Sequence, residues 1–451
     1  MKKTDVLVIG GSAAGLSAVV AGKSNYPDKE FLLIRREEKV MVPCGIPYIF
    51  DSLSGSDQNV LPGDATYDKL GIKYKVGNVR LIEKENKICL LDDGTEIKFE
   101  KLVLATGSIP KIPTWLKGVD LENVFTIPKN KIYLDEMKTK LESCKKIATI
   151  GGGFIGVELS DELNKSGKDV TLVEILPHIL SLAFDKELDV KAEEILQSRG
   201  VKIKTSTGAK EILGNGGKVT GVLLNNGEVL EADAVILSMG YAPNTALAKE
   251  AGIKVDEQGF IKVDEYMRTG DPGIFAVGDC AEKKDFVTRK SSQTMLASTA
   301  CAEARIAGMN LYKLCTLKTF SGTIAIFSTM IGDTGFGAAG LTEKQAGDEG
   351  FDIVTGTFTG MDKHPGKLPN THQQIVKLIA AKESGVILGG EVIGGFSSGE
   401  LINIIGLAIE NKMSINSILI SQIGTHPMLT ASPAAYPLIK AAENVMRNIH
   451  N

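Results

Sequence analysis

The chain has 451 residues, of which 43% are hydrophobic and 24% charged, and its formal net charge is −4. This composition is typical of a globular protein of two to four domains, and the charge gives no reason to expect nucleic acid or an anionic membrane as a partner. No apolar run approaches the ~20 residues that span a bilayer, and no signal-peptide pattern precedes the first predicted strand. The six cysteines lack the spacing of a metal site or a disulfide framework. We therefore expect a cytoplasmic protein without a bound metal.

The first predicted unit is "VLVIGGSAAGLSA", which begins at Val6. A short apolar strand, a glycine turn and a helix in this order are typical of a dinucleotide-binding βα unit. Gly10 permits the turn, Gly15 lets the helix pack on the strand, and Ser12 stands where the second glycine is usual. The next strand, "EFLLIRREEK", places Arg35 where a ribose-binding acid is expected. Arg35 could instead face an adenosine phosphate or a charged substrate.

A lone cysteine follows in "VMVPCGIPYIF", residues 40–50. Pro43 favours an extended residue before it, and Pro47 suits the first turn of a helix. The pattern predicts that Cys44 lies at or just before a helix N-terminus, where the helix dipole and free N–H groups lower the pKa and favour a reactive thiolate. The alternative is a buried, inert cysteine.

A second glycine unit, "IATIGGGFIGVEL", begins at Ile147 and contains the complete set Gly151, Gly153 and Gly156. The strand after it, "KDVTLVE", ends in Glu174. A carboxylate at this point suits a ribose diol and repels a 2′-phosphate, which favours NADH over NADPH. Two such units in one chain predict two dinucleotide-binding domains.

Three further segments predict buried strands that end in glycine turns: "KLVLATGSIP", "DAVILSMGYAPN" and "GIFAVGDCA". The last presents Asp279, which either accepts hydrogen bonds from ligand hydroxyls or caps a helix starting near Gln293. From about Ser321 the character changes. Residues 374–394 predict two strands joined by "KESG", and "SSGELINIIGLAIENKMS" predicts a helix with Ser398 as its cap. An α+β module with an apolar helical face suits a subunit interface.

Taken in order, these motifs resemble the FAD-dependent pyridine nucleotide–disulfide oxidoreductase family. The "PCGIPY" segment resembles its single-cysteine branch of coenzyme A disulfide reductases, NADH oxidases, NADH peroxidases and persulfide reductases. The resemblance implies an α/β fold with two Rossmann-like dinucleotide-binding domains, as in glutathione reductase, and a C-terminal α+β dimerisation domain. It places the FAD-binding domain at 1–112 and 241–322, the NAD(H)-binding domain at 113–240 and the dimerisation domain at 323–451. It also implies a homodimer.

The resemblance implies an NADH-dependent flavoprotein in which hydride passes from NADH to FAD and the electrons pass on to Cys44. The substrate would be a small disulfide, persulfide or polysulfide, with coenzyme A disulfide as the leading candidate. Two alternatives remain open: an NADH oxidase that reduces oxygen at the flavin, and a reductase of an electron-carrier protein such as rubredoxin.

The resemblance also implies several sets of site residues. Cys44 would be redox-active, with His426 and Tyr436 as candidate proton donors. The predicted FAD contacts are Gly10, Ser12, Ala13, Ala14, Gly15, Arg35, Arg36, Pro43, Val79, Ala105, Thr106, Gly107, Gly278, Asp279 and Ala297. The predicted NAD contacts are Gly151, Gly153, Phe154, Ile155, Gly156, Glu158, Glu174 and Gly240. Coenzyme A could be bound through its phosphates by Lys23, Lys73 and Lys75.

This sequence departs from its branch at three positions. Val40 and Pro43 stand where coenzyme A disulfide reductases carry a serine and an asparagine, which weakens the expectation for coenzyme A. Ala13 stands where NADH peroxidases and many water-forming oxidases carry a histidine, which favours disulfide or persulfide reduction over a sulfenic acid cycle.

Overall fold

A computed structural model describes residues 1–61, 63–316 and 320–450 of the chain. The N-terminal segment forms β1 (Lys2–Ile9), α1 (Ala13–Asn25), β2 (Phe31–Arg35), α2 (Gly63–Leu70), β3 (Lys73–Val76), β4 (Val79–Glu83), β5 (Ile88–Leu91), β6 (Glu96–Leu104) and β7 (Ser108–Pro110). Six of the strands build one sheet in the order β3-β2-β1-β6-β5-β4. β1 lies at its centre and pairs in parallel with β2 and β6, which buries the apolar run from Val6 to Ile9 on both faces.

The middle of the chain forms β8 (Val124–Thr126), α3 (Lys131–Glu142), β9 (Lys146–Ile150), α4 (Phe154–Lys165), β10 (Asp169–Val173), α5 (Lys186–Ser198), β11 (Lys202–Lys204), β12 (Ala209–Asn215), β13 (Lys218–Leu224), β14 (Val229–Glu231) and β15 (Ala234–Leu237). Five strands make a second parallel sheet in the order β11-β10-β9-β15-β8, and β12, β13 and β14 make a separate antiparallel sheet. This is the second predicted Rossmann-like unit.

The chain then returns to the first sheet through β16 (Tyr241–Pro243), α6 (Ala246–Glu250), β17 (Ile274–Ala276), β18 (Lys283–Lys284), β19 (Ser291–Ser292) and α7 (Ala297–Met309). β17 pairs in parallel with β6, and α7 packs against α1. β16 pairs with β7, so the two connections between the Rossmann-like units run side by side. Segments on either side of the second unit therefore contribute to one sheet.

The C-terminal part contains β20 (Phe327–Ile331), β21 (Thr334–Gly340), α8 (Glu343–Asp348), β22 (Ile353–Met361), β23 (Gln373–Ala381), β24 (Ile387–Gly394), α9 (Ser398–Glu410), α10 (Ile415–Leu419) and α11 (Pro437–His450). Its antiparallel sheet has the order β20-β21-β24-β23-β22 and is covered by α9 and α11. The predicted strand pair and helix are confirmed, and so is the predicted fold class.

One local prediction in this part is wrong. Ser398 is the first residue of α9 and not its cap, because the backbone at Ser397 already has helical dihedral angles. The side chain of Ser398 is fully buried instead. Across the described ranges, no helix combines the length and the apolar character needed to cross a membrane.

Candidate active site

Both glycine loops have the tight geometry that the motifs predicted. Gly10 and Gly151 have φ values of +118° and +111°, which disfavour any residue with a side chain. A Cβ atom at Gly15 would lie 1.7 Å from the Gly10 carbonyl oxygen, and one at Gly156 would lie 1.9 Å from that of Gly151. The first and third glycines are therefore required in each loop by the close approach of helix and turn.

The helices that follow the loops suit the pyrophosphate groups of two dinucleotides. No described side chain caps α1 or α4, and neither helix has an acid in its first turn, so the N-terminal amides remain available to an anion. A Cβ atom at Gly153 would meet open space. The Phe154 ring stacks on Phe327 with ring centres 5.1 Å apart, and the contact of Phe154 and Ile155 with NAD stays a prediction.

Glu174 lies directly after β10, against the second glycine loop. Its two carboxylate oxygens accept hydrogen bonds from the backbone N–H groups of Gly152 (2.6 Å) and Leu176 (2.7 Å). The side chain is thus held beside the loop where the predicted ribose would bind, and the ribose contact stays a prediction.

Arg35 occupies the corresponding place as the last residue of β2. It is buried, and its guanidinium carbon lies 4.4 Å from the centre of the Tyr74 ring. A Cβ atom at Gly11 would lie 2.7 Å from the Arg35 Cβ atom, so the arginine packs directly behind the first glycine loop. Arg36 is exposed and forms a 3.8 Å ion pair with Glu37.

Most of the predicted FAD residues lie at one edge of the first sheet, where its parallel strands end. Gly10 follows β1, the Ala105–Gly107 segment follows β6, and Gly278 follows β17. Val79 lies beyond the end of β3, and Ala297 begins α7. Ligands of open α/β sheets bind at this carboxyl edge, so the residues present fit FAD.

Asp279 lies at this edge on a 3₁₀ turn, Gly278–Cys280. Its Oδ2 atom accepts hydrogen bonds from Ser108 Oγ (2.7 Å) and Lys129 Nζ (2.8 Å). Burial disfavours ionisation, but Lys129 and Ser108 more than offset it, and the pKa of Asp279 lies below its usual range. The alternative role as a helix cap is wrong, because the carboxylate has these partners and α7 starts only at Ala297.

The predicted helix start at Cys44 is wrong. Cys44 is exposed in a 3₁₀ turn, Pro43–Gly45, and a second short 3₁₀ segment, Pro47–Phe50, follows it. The pKa of the thiol is raised, first by desolvation from the surrounding atoms and then by the negative charge of Glu158, whereas Lys129 lowers it. The predicted lowering of the Cys44 pKa is therefore wrong: Lys129 acts in that direction, but desolvation and Glu158 outweigh it.

Cys44 lies where the two Rossmann-like units meet. Besides Glu158 on α4 and Lys129 before α3, its electrostatic neighbours include Asp279 and Cys301 on α7. Glu158 accepts a 2.7 Å hydrogen bond from Thr329 Oγ1, yet burial raises its pKa to about 7. The thiol thus shares one site with a carboxyl group that titrates near neutral pH and with the carboxylate at the FAD edge.

Comparison with known proteins identifies the family of the chain. The family model described as "Pyridine nucleotide-disulphide oxidoreductase" matches residues 4–304, and its dimerisation-domain model matches residues 326–435. An NADH oxidase of Methanocaldococcus jannaschii is 30% identical over 99% of both chains. An NAD(P)H coenzyme A polysulfide/persulfide reductase of Pyrococcus horikoshii is 31% identical over 87% of this chain and 88% of that protein. The structure of an NAD-dependent persulfide reductase from A. fulgidus superposes with a TM-score of 0.90 at 28% identity, covering 98% of this chain and 83% of that one.

The chain belongs to the pyridine nucleotide-disulphide oxidoreductase family. It is an FAD-dependent NAD(P)H oxidoreductase. The glycine loop of the first unit and Asp279 are the features that would hold FAD, and the second glycine loop would hold the nicotinamide cofactor. FAD supplies a two-electron relay between the nicotinamide and an acceptor.

The two candidate proton donors, His426 and Tyr436, both belong to the C-terminal domain. The groups that shift the Cys44 pKa most strongly are Glu158, Lys129, Asp279 and Cys301, and neither His426 nor Tyr436 is among them. The His426 ring is exposed, and its Nδ1 atom accepts a 3.3 Å hydrogen bond from the Met428 N–H group. Tyr436 packs against the core of the C-terminal domain, and burial raises its pKa.

The lysines predicted for coenzyme A all have protein partners. Lys23 Nζ donates to the backbone carbonyls of Pro27 (2.7 Å) and Lys29 (2.8 Å). Lys73 forms a 2.9 Å ion pair with Glu30, and Lys75 forms a 2.8 Å ion pair with Asp93. Their role toward coenzyme A stays a prediction that these contacts do not favour.

Lys129 was missed by the sequence analysis, and Glu158 was assigned only to NAD. Lys129 lies in "TIPKN", which matches no motif, so nothing local signals its role. Glu158 follows the third glycine by two residues, and only the packing of α4 reveals that it faces Cys44. No group of three or more candidate metal ligands occurs among the described residues.

Proposed function

We propose that this protein is an NADH-dependent reductase of a small disulfide, persulfide or polysulfide, with Cys44 as its redox-active thiol. The proposal depends chiefly on the position of Cys44. An exposed thiol shares a site with the FAD-edge carboxylate Asp279, with Lys129, and with Glu158 on the helix that starts at the second glycine loop. A thiolate is the attacking species toward a disulfide sulfur, and Lys129 supplies the positive charge that favours it.

The proposed reaction has two steps. The Cys44 thiolate attacks one sulfur of RS–SR, which forms a mixed disulfide and releases RS⁻, and this thiolate takes up a proton. Reduction of the mixed disulfide by two electrons, which FAD held at the first glycine loop would relay from NADH, would regenerate Cys44 and release a second RSH. The sum is NADH + H⁺ + RSSR → NAD⁺ + 2 RSH, and for a persulfide NADH + H⁺ + RSSH → NAD⁺ + RSH + H₂S.

Substitution of Cys44 tests this proposal directly. We expect Cys44→Ser to bind FAD and to accept electrons from NADH, seen as bleaching of the flavin absorbance, but to lose at least about 1,000-fold in disulfide turnover because the attacking sulfur is gone. Cys315→Ser is the matched control, since Cys315 is also exposed but lies elsewhere. Disulfide turnover by Cys44→Ser at the wild-type rate would contradict the assignment.

The sulfur substrate we favour is coenzyme A disulfide or a related persulfide. Support comes from the relative in Pyrococcus horikoshii, which is named as a coenzyme A polysulfide/persulfide reductase. The intact mass of the purified protein before and after dithiothreitol tests this. A mass loss of one coenzyme A would identify a mixed disulfide on Cys44, a loss of one sulfur a persulfide, and a loss of one oxygen a sulfenic acid.

A second candidate function is oxidation of NADH by oxygen, because the relative in Methanocaldococcus jannaschii is named NADH oxidase. Oxygen consumption and hydrogen peroxide yield, measured beside disulfide turnover in one preparation, separate the two activities. The first proposal would be replaced if the rate of oxygen reduction exceeded the rate with every disulfide tested and persisted in Cys44→Ser.

We infer that NADH is preferred over NADPH. Glu174 is anchored by two backbone N–H groups beside the second glycine loop, so its charge would lie near a 2′-phosphate and repel it. The ratio of kcat/KM for the two nucleotides tests this, and a ratio at or below one would refute it.

We also infer that two chains pair through the C-terminal domain, which matches the family's dimerisation domain. This domain exposes several large apolar side chains, among them Phe396, Leu407, Ile420 and Leu429. Exposed large apolar side chains of this kind are common at subunit interfaces. In such a dimer, the exposed His426 would be available to protonate a leaving thiolate in the partner's site.

A further inference from the structure

A buried ion pair lies directly beneath the turn that carries Asp279. Lys283, after the turn, and Glu303, on α7, are 3.7 Å apart, and their side chains are 1% and 0% exposed. Burial of a charged pair is costly and gives little net stability compared with apolar packing. The pair therefore calls for an explanation beyond the stability of the core.

The contacts of the pair concentrate on the backbone of the turn. Glu303 Oε2 accepts a 2.7 Å hydrogen bond from the Gly278 N–H group. Lys283 Nζ donates to the carbonyl oxygens of Gly278 (3.1 Å) and Ala281 (2.9 Å). The two side chains thus hold the N–H and C=O groups of the same glycine, and the ammonium group of Lys283 also reaches the other end of the turn.

The turn needs support because its backbone is unusual and closely packed. Gly278 has φ +77°, and a Cβ atom there would lie 2.9 Å from the Cβ atom of Ala14 in the first glycine loop. A shift of the turn would therefore change both its distance to that loop and the direction of the Asp279 carboxylate, which follows Gly278 in the chain.

We propose that Lys283 and Glu303 are positioning residues of the FAD site. They hold the Gly278–Ala281 turn so that Asp279 points to the carboxyl edge of the sheet, where FAD hydroxyl groups are expected. This inference rests on FAD as the cofactor and on the predicted contact with Asp279, and it does not depend on the chemistry of Cys44.

The test is the dissociation constant of FAD from the reconstituted apoprotein, measured by quenching of FAD fluorescence. We expect Glu303→Ala to weaken FAD binding at least about tenfold, because the buried hydrogen bond from the Gly278 N–H group is lost and the turn is no longer held. Asp271→Asn is the matched control. It breaks the Lys84–Asp271 ion pair of the same domain, which does not contact the turn, and it should leave FAD affinity within about twofold.

A double-mutant cycle with Asp279→Asn distinguishes positioning from general support of the fold. If Glu303 acts through Asp279, Glu303→Ala costs clearly less FAD affinity in the Asp279→Asn background than in the wild type. Equal costs in both backgrounds, or wild-type affinity in Glu303→Ala, would overturn the proposal.

If the single substitutions unfold the protein, a double substitution tests the proposal instead. Replacing both members of a buried pair by apolar residues often restores stability. We expect Lys283→Met with Glu303→Leu to recover the melting temperature of the apoprotein while FAD binding stays at least about tenfold weak. Recovery of both properties would overturn the proposal. We expect Cys44→Ser to bind FAD with wild-type affinity, so the FAD-binding results do not depend on the proposed disulfide chemistry.

Discussion

The acidity of Cys44 is set by side chains that are remote from it in the sequence. Desolvation and Glu158 raise the pKa of the thiol, and Lys129 lowers it. Lys129 also donates to Asp279 at 2.8 Å, so one ammonium group serves both the thiol and the FAD-edge carboxylate. At the residue scale, the reactivity of the thiol therefore depends on how this one positive charge is shared.

Glu158→Gln tests how much the Glu158 carboxylate raises the pKa of Cys44. Since Glu158 has a pKa of about 7, it is largely ionised at pH 8 and raises the pKa of Cys44 there. The neutral glutamine should shift the midpoint of Cys44 alkylation by iodoacetamide to lower pH, by about half a unit or more. Mass spectrometry follows the modification, with Glu100→Gln as a remote control. An unchanged or higher midpoint would contradict this account.

At the scale of single elements, α4 connects three parts of the molecule. It begins at the second glycine loop, and the two oxygens of Glu162 accept hydrogen bonds from the N–H group (2.6 Å) and the hydroxyl (2.7 Å) of Ser52, just after the Cys44 segment. Asp161 binds Arg199 at 2.6 Å and accepts from the Gly332 N–H group of the C-terminal domain. The helix thus ties the Cys44 segment to the predicted nucleotide loop.

Glu162→Gln should loosen this tie. A glutamine amide offers one acceptor where two donors converge, so we expect a loss of about 1–2 kcal/mol in the free energy of unfolding. Hydrogen exchange should become faster at the Ser52 amide. Glu194→Gln on the exposed face of α5 is the control, since its ion pair with Lys191 is solvent-exposed. Unchanged protection of residues 47–53 would show that α4 does not hold the segment.

At the scale of the whole molecule, a buried charge cluster joins the second Rossmann-like unit to the C-terminal domain. Lys377 on β23 binds Asp185 (3.0 Å) and Glu343 (2.7 Å), and Glu391 on β24 accepts a 2.6 Å hydrogen bond from the Asp185 N–H group. Burial, reinforced by the Asp185 charge, raises the pKa of Glu391 to about 8. The contact between these domains therefore includes a carboxyl group that is protonated at neutral pH.

The stability of the apoprotein should fall as the pH rises from about 5.5 to 8.5. Burial raises the pKa values of Glu158 and Glu303 to about 7 and that of Glu391 to about 8, all above the ordinary value of 4.5. The stabilisation is full below pH 4.5 and is lost as the pH rises through 7 and 8, at about 1.4 kcal/mol per pH unit for each proton.

Thermal melts across this range check the pH effect. Glu391→Gln, which cannot ionise, should have a shallower decline than the wild type. Stability that rises with pH in this window, or an identical slope in Glu391→Gln, would contradict the expectation.

The oligomeric state is also a property of the whole molecule. Leu407 on α9 is 58% exposed, and Ile404 on the same helix is 41% exposed. Leu407→Asp should convert a dimer into a folded monomer, because an unpaired charge would be buried at the proposed interface. Sedimentation velocity measures the mass, and Glu400→Gln on the same helix is a control for charge changes there. A dimer that persists in Leu407→Asp would remove α9 from the interface.

The sequence by itself determined the two strand–glycine–helix units and the change to an α+β module near residue 321. These features follow from local rules: Gly10 and Gly151 need positive φ, Gly15 and Gly156 need hydrogen in place of Cβ, and apolar periodicity separates strands from helices. The position of Asp279 at a strand end was predictable for the same reason.

Only the tertiary structure decided what surrounds Cys44. The prolines predicted a helix start, but two short 3₁₀ turns formed, and the charge that favours the thiolate comes from Lys129. Likewise, no local pattern marks Lys283 and Glu303 as partners of one turn. The physical reason is that pKa values and buried ion pairs depend on distances through space and on desolvation, and the folded chain sets both by bringing together residues that are far apart in the sequence.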